Sequence, residues 1–120
     1  ARRIVDFLRG RPEVAHVLVP GSYDDTEARI QEGQADGPGG LFSFELVPGK
    51  DVRAFLGALK IFGFAVSLGG IESLMNYPHE MTHASVRGTE LAVPENLLRL
   101  SVGLEDVNDL FGDLDQALAD

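Results

Sequence analysis

Leu41-Phe42-Ser43-Phe44-Glu45-Leu46-Val47, closed by Pro48-Gly49 and followed by Asp51-Val52-Arg53-Ala54-Phe55-Leu56, is the stretch on which the fold turns. Its first part alternates apolar and polar residues with a period of two, the pattern of a strand that buries one face. Pro48-Gly49 stops that strand, because proline lacks the ladder donor and glycine accepts turn geometry. Asp51 then stands where a carboxylate can accept a free amide of a helix's first turn. Val52, Phe55, Leu56 and Leu59 recur at helical spacing behind it, so a strand, a tight turn and a helix are expected in that order.

Working outward, Ile4, Val5 and Leu8 share one face of an opening helix that Gly10 and Pro12 end. Ala1 enters this pattern with no capping residue before it, so the chain reads as one cut inside a helix, although a frayed natural terminus would look the same. Val14 to Val19 reads as a short strand turned by Pro20-Gly21. Ser22 to Gly40 is polar and acidic, with a weak helical stretch around Thr26 to Ile30 and a breaker at Gly37-Pro38-Gly39-Gly40.

Downstream, Phe64 to Ser67 reads as a short β run ending at Gly69-Gly70, and Ile71 to Met75 as one or two helical turns before Pro78. Leu97 to Val102 is the next strand, and Val107, Leu110, Phe111, Leu114 and Leu118 form the apolar stripe of a last helix. The pattern is α-β-(loop)-β-α-β-(loop)-β-α. It buries best as an α/β (α+β) domain, a small, mostly antiparallel four-stranded sheet with helices on one face. There is no internal repeat.

With 120 residues and 44% hydrophobic composition the chain suffices for one domain with one modest core. Nineteen acidic residues against ten basic give a net charge of −9, which repels a phosphate backbone, so no nucleic-acid partner is expected. No run of about 18 apolar residues is present to span a bilayer, and the N-terminal residues lack the apolar core of a signal peptide. A cytoplasmic location with no membrane partner is therefore expected. The absence of cysteine removes disulfides, thiolate catalysis and cysteine-ligated zinc.

His79-Glu80-Met81-Thr82-His83 satisfies the H-E-x-x-H string that presents two zinc ligands and a general base on one helix face. That chemistry needs a long scaffold helix and a third ligand. Here Pro78 precedes the string, Arg87-Gly88 follows it, and Glu90 and Glu95 are cut off by Gly88 and Pro94. No metal is assigned. Arg99, within Leu97-Leu98-Arg99-Leu100-Ser101-Val102, points away from Leu98, Leu100 and Val102 by strand alternation. It is either a solvated arginine that keeps the sheet soluble or a planar fork that holds a carboxylate bidentately, as an α-amino acid requires.

Ser67-Leu68-Gly69-Gly70 is either an ordinary strand-ending turn or a place where a hydroxyl and bare backbone approach a small ligand. No histidine and acid are arranged to make Ser67 a nucleophile. Gly37 to Gly40 precedes a strand and opens no helix, which argues against a phosphate loop. The acidic face of the last helix reads as solvated.

Ser67-Leu68-Gly69-Gly70-Ile71-Glu72-Ser73-Leu74, Met81-Thr82-His83-Ala84 and Leu98-Arg99-Leu100-Ser101-Val102-Gly103-Leu104-Glu105-Asp106, in this order, resemble the pyridoxal-phosphate enzymes of the cystathionine γ-synthase/γ-lyase and methionine γ-lyase family. Val19-Pro20-Gly21, Gly39 to Phe44 and Asp113 to Leu118 extend the likeness over nearly the whole chain. The resemblance implies the C-terminal domain of an aspartate-aminotransferase-like (type I) fold, residues 1–120 forming one substrate-binding domain without its large cofactor-binding partner domain. It implies that Ser67 and Arg99 hold the substrate α-carboxylate, with Leu68 beside Ser67 and Thr82 lining the same site.

It also implies pyridoxal 5'-phosphate as electron sink in the full-length enzyme, an amino-acid substrate and a homotetramer built from dimers. The Schiff-base lysine is not among Lys50 and Lys60, so no cofactor is expected on this chain alone, and no activity. Two departures concern loops: Arg87 to Asn96 is shorter than in relatives, and Tyr23 to Gly37 does not follow their pattern. Val66 stands where relatives that process cystathionine often carry a glutamate, and is more similar to methionine γ-lyases or sulfhydrylases. Two other readings share the layer pattern or the motif: a non-catalytic α/β ligand-binding or interaction module, and a zinc metallopeptidase.

Overall fold

The structure is a computed structural model that describes residues 1–21, 24–81, 89 and 94–119. Among the described residues ten elements follow one another: α1 (Arg2–Arg9), β1 (Val14–Leu18), α2 (Asp25–Gln34), β2 (Leu41–Leu46), α3 (Val52–Ala58), β3 (Gly63–Phe64), β4 (Leu74–Asn76), α4 (Pro78–Met81), β5 (Leu97–Ser101) and α5 (Val107–Leu118). The strands form one sheet in the order β1-β2-β5-β4-β3. Three neighbouring pairs are antiparallel and β3–β4 is parallel, so the sheet is mixed. Among the described residues no helix is long and apolar enough to cross a membrane.

The strand-turn-helix at residues 41–58 forms as its sequence dictates. Phe42, Phe44 and Leu46 are buried while Leu41, Ser43 and Glu45 are partly exposed. Asp51 accepts from the Ala54 amide at 3.0 Å and starts α3, whose Phe55 packs edge-on against Phe44 with ring centroids 6.2 Å apart. The register pairs Phe42 with Leu100 and Phe44 with Leu98, so the apolar faces of β2 and β5 merge into one surface. Ile4, Val5 and Leu8 of α1 and Leu110, Leu114 and Leu118 of α5 cover it. Phe7 and Phe111 stack at 5.1 Å and join the two helices.

Two elements differ from the sequence expectation. Among the described residues the sheet has five strands, because Leu74–Asn76, which overlaps the stretch Ile71 to Met75 expected to be helical, is a strand between β3 and β5. Met75 is fully buried opposite Leu100, and that long-range pairing outweighs a local pattern too short to distinguish the two periods. The β run expected over Phe64 to Ser67 is confined to Gly63–Phe64. The acidic stretch after β1 yields α2, which has no buried residue and is held by its N-terminus: Asp24 accepts from the Glu27 amide at 2.7 Å.

Asp113 of α5 fixes the route into β3. Its buried carboxylate accepts from the backbone amides of Lys60, Ile61 and Phe62 at 2.8, 2.7 and 3.2 Å. Burial pushes this carboxyl up, but those three amides, with Gln116, outweigh burial and hold it below the ordinary range. A carboxyl lowered on folding adds stability that is present above its ordinary value of 3.8 and lost as pH falls through its lower folded value. Replacing Asp113 by Asn is expected to cost about 1–3 kcal/mol of unfolding free energy at neutral pH. In denaturant titrations the gap from the parent should narrow below pH 3.8; a gap independent of pH would refute the role assigned to the carboxylate.

Candidate functional site

β5 presents two sets of side chains. Leu98 and Leu100 enter the core, and alternation turns Arg99 and Ser101 to the opposite face. The register places Ser43 of β2 on one side of Arg99 and Asn76 of β4 on the other, forming a polar row across three strands. Residues 65–73, which connect the parallel pair β3 and β4, cross over this face.

Two hydrogen bonds from β5 side chains hold the crossing. Arg99 Nη2 donates to the Val66 carbonyl at 3.0 Å, and the Gly69 amide donates to Ser101 Oγ at 2.8 Å. Ser67 and Leu68 lie between these anchors, both exposed. Gly69 has φ +76°, a conformation that a side chain disfavours, and it turns the backbone so that its amide points at Ser101. Arg99 is thus bonded to the residue that precedes Ser67, more than thirty residues away in the chain.

The far end of the crossing is fastened to the corner after β5. The Ser73 amide and hydroxyl donate to Glu105 Oε2 and Oε1, each at 2.8 Å. Ser73 Oγ also accepts from the Gly103 amide at 2.8 Å, and the Leu104 amide donates to the Ile71 carbonyl at 2.9 Å. Burial raises the Glu105 carboxyl, but the Ser73 amide, its own amide and the Ser73 hydroxyl outweigh this and hold it below the ordinary range. Gly103 has no room for a side chain: a Cβ there would lie 2.2 Å from the Ile71 carbonyl oxygen.

Sequence reasoning missed Ser73, Asn76, Ser101, Gly103 and Glu105, whose partners are set by register and not by local pattern. The Gly103-x-Glu105 spacing was the available signal, since a glycine beside an acid after a strand marks a tight corner. Asn76 is 1% exposed and neither polar atom of its amide has a hydrogen-bond partner. Thr82 and His83 lie outside the described residues, so nothing is added to the expectation for Thr82. Of the zinc-like string, His79 and Glu80 sit in α4, and Glu80 pairs with Arg53 of α3. Among the described residues no group of three metal-ligating side chains is assembled.

Clefts elsewhere do not include Ser67 or Arg99. One of about 390 Å³ lies between α1 and α2, bounded by Val5, Arg9, Ala28 and Gln31. Another, of about 530 Å³, lies by the β2–α3 turn, bounded by Val47, Lys50 and Tyr77. The Arg99 face has an arginine fork, a serine, exposed backbone and no general base within its described contacts. Such an arrangement can grip and orient an anion but does not by itself supply acid–base chemistry.

Comparison with known proteins identifies the family and the fold. A model of the Cys/Met metabolism PLP-dependent enzyme family matches residues 1–119, and the chain belongs to that family. It is 44% identical to the cystathionine gamma-lyase of Bacillus subtilis over 98% of this chain and 32% of that protein. It is 45% identical to the cystathionine gamma-synthase of Mycobacterium bovis over 96% of this chain and 30% of that protein. A solved structure of cystathionine gamma-lyase from Lactobacillus plantarum, complexed with L-serine, superposes with a TM-score of 0.91 at 36% identity, covering 99% of this chain and 32% of that one. The chain spans about a third of the length of these relatives.

The packing at Gly103 yields a direct test of the described corner. Gly103→Ala should lower stability by about 1–3 kcal/mol through overpacking against backbone that cannot step aside. Thermal or denaturant unfolding of the protein carrying this chain would measure it. An unchanged midpoint would mean that residues 71–73 are not seated on residue 103.

Proposed function

We propose that this chain is the C-terminal, substrate-binding domain of a pyridoxal-phosphate-dependent enzyme that cleaves or exchanges the γ-substituent, or cleaves the β one, of a sulfur-containing amino acid. Its part is to hold the substrate α-carboxylate, with Arg99 as the bidentate fork and Ser67 and Leu68 at the turn beside it; Thr82 is proposed to line the same site. The observation that carries this reading is the 3.0 Å bond from Arg99 Nη2 to the Val66 carbonyl, which brings the guanidinium to the residue preceding Ser67. The relative complexed with L-serine adds support, because its ligand is an α-amino acid.

Cofactor attachment is a separate matter. Lys50 Nζ donates to the Leu118 carbonyl at 2.5 Å, and Lys60 stands in the turn bound by Asp113. Neither of these contacts involves Ser67 or Arg99, and we assign cofactor binding to sequence outside this chain. The domain alone is then inactive, and its working partners are its own large domain and further copies in a tetramer. In the full-length enzyme the grip on the carboxylate fixes the amino acid's orientation, so that the bond to be broken is aligned before reaction.

Val66 is 55% exposed on the same turn. An apolar side chain there suits substrates without a distal amine, and product analysis with cystathionine, methionine and O-acylhomoserine would rank them. The clamp itself is tested by Arg99→Ala in the full-length enzyme. Loss of about 2–4 kcal/mol of charge-assisted binding corresponds to roughly a 30- to 700-fold drop in kcat/KM, with cofactor retention essentially unchanged. Equal turnover by the variant would reject the clamp.

A further inference from the structure

Among the described residues four polar side chains are buried: Ser73, Asn76, Ser101 and Asp113. Ser73 is bonded to Glu105 and Gly103, Ser101 to Gly69, and Asp113 to three backbone amides. Asn76 differs, because its carboxamide is 1% exposed and both Oδ1 and Nδ2 lack a partner. A buried amide that bonds to nothing opposes folding, and native chains rarely keep one without a use. An apolar residue of similar size would fill the same space without that cost.

What lies opposite Asn76 indicates the use. In the antiparallel β4–β5 pair it faces Arg99 directly, and side chains so paired share a face with Cβ atoms about 5 Å apart. The Arg99 guanidinium has only donors, five of them, one of which is given to Val66. The Asn76 Oδ1 is an acceptor on the same face, and its Nδ2 is a donor that suits a carboxylate oxygen. A carboxamide is therefore complementary to a guanidinium and to the anion it grips, without carrying a charge that competes with that anion.

We infer that Asn76 is a positioning residue for Arg99: without a partner here, the Asn76 Oδ1 accepts from the guanidinium once an α-carboxylate is bound and steadies the fork in the orientation that receives it. In that bound state the fork is held at Val66 on one side and at Asn76 on the other, and keeps its remaining donors directed at the ligand. The cost of the buried amide is offset when the carboxylate is bound and the row Ser43–Arg99–Asn76 acts as a unit. This inference rests on the reading of Arg99 as a carboxylate clamp.

The test compares L-serine with its α-carboxamide, L-serinamide, by calorimetric titration of the full-length enzyme. Asn76→Leu should raise the dissociation constant of L-serine about tenfold, leave that of L-serinamide within about twofold, and melt no lower than the parent. Asn76→Asp sets a carboxylate against Arg99 that competes with the ligand, so it should weaken L-serine further while L-serinamide still binds. If both ligands weaken alike, Asn76 is merely structural and the inference falls, as it does if L-serine affinity is unchanged in both variants. Arg99→Ala separates the two claims. If it leaves the preference for acid over amide intact, the clamp reading itself fails; if it abolishes the preference while the Asn76 variants keep it, only the role of Asn76 is lost.

Discussion

The position of β5 between β2 and β4 is the constraint on which the rest of the molecule depends. Its register commits Leu98 and Leu100 to the core and, by the same period of two, commits Arg99 and Ser101 to the other face. A slip of one residue would expose two leucines and bury an arginine. The hydrophobic requirement for burial thus fixes the orientation of the candidate binding group, and stability and site geometry rest on one pairing.

From that strand the crossing segment takes its place. It is a turn-rich stretch with exposed Val66, Leu68 and Ile71, and has little apolar burial of its own. It is held by directed polar contacts to residues 99, 101, 104 and 105. Hydrogen bonds of this kind are modest in net stability but specific in geometry, so they fix the course of a segment that burial does not fix. Asp113 does the same for the approach to β3 by gathering three amides on one carboxylate.

Much of this was legible in the sequence where one short window contains the whole signal. The alternation of Phe42, Phe44 and Leu46, the Asp51 cap and the stripe along α5 all have a local cause, and each forms as read. Arg99 was legible for the same reason, since strand alternation alone separates it from its leucine neighbours. What was not legible depends on distant partners. Leu74 to Asn76 carries no periodic signature in three residues, and becomes a strand only because Leu100 buries Met75. Asn76 could not be singled out until that pairing placed it opposite Arg99. The turn around Ser67 and Leu68 is anchored from far along the chain, by Arg99 and Ser101.

The proposed role of Arg99 is to grip the carboxylate of an α-amino acid at the Ser67 turn. A crystal structure of the full-length enzyme with L-serine bound tests it most directly. Both carboxylate oxygens are expected on the Arg99 guanidinium at about 2.7–2.9 Å, with Ser67 beside them. A ligand whose carboxylate lies elsewhere, with Arg99 turned to solvent, would contradict it.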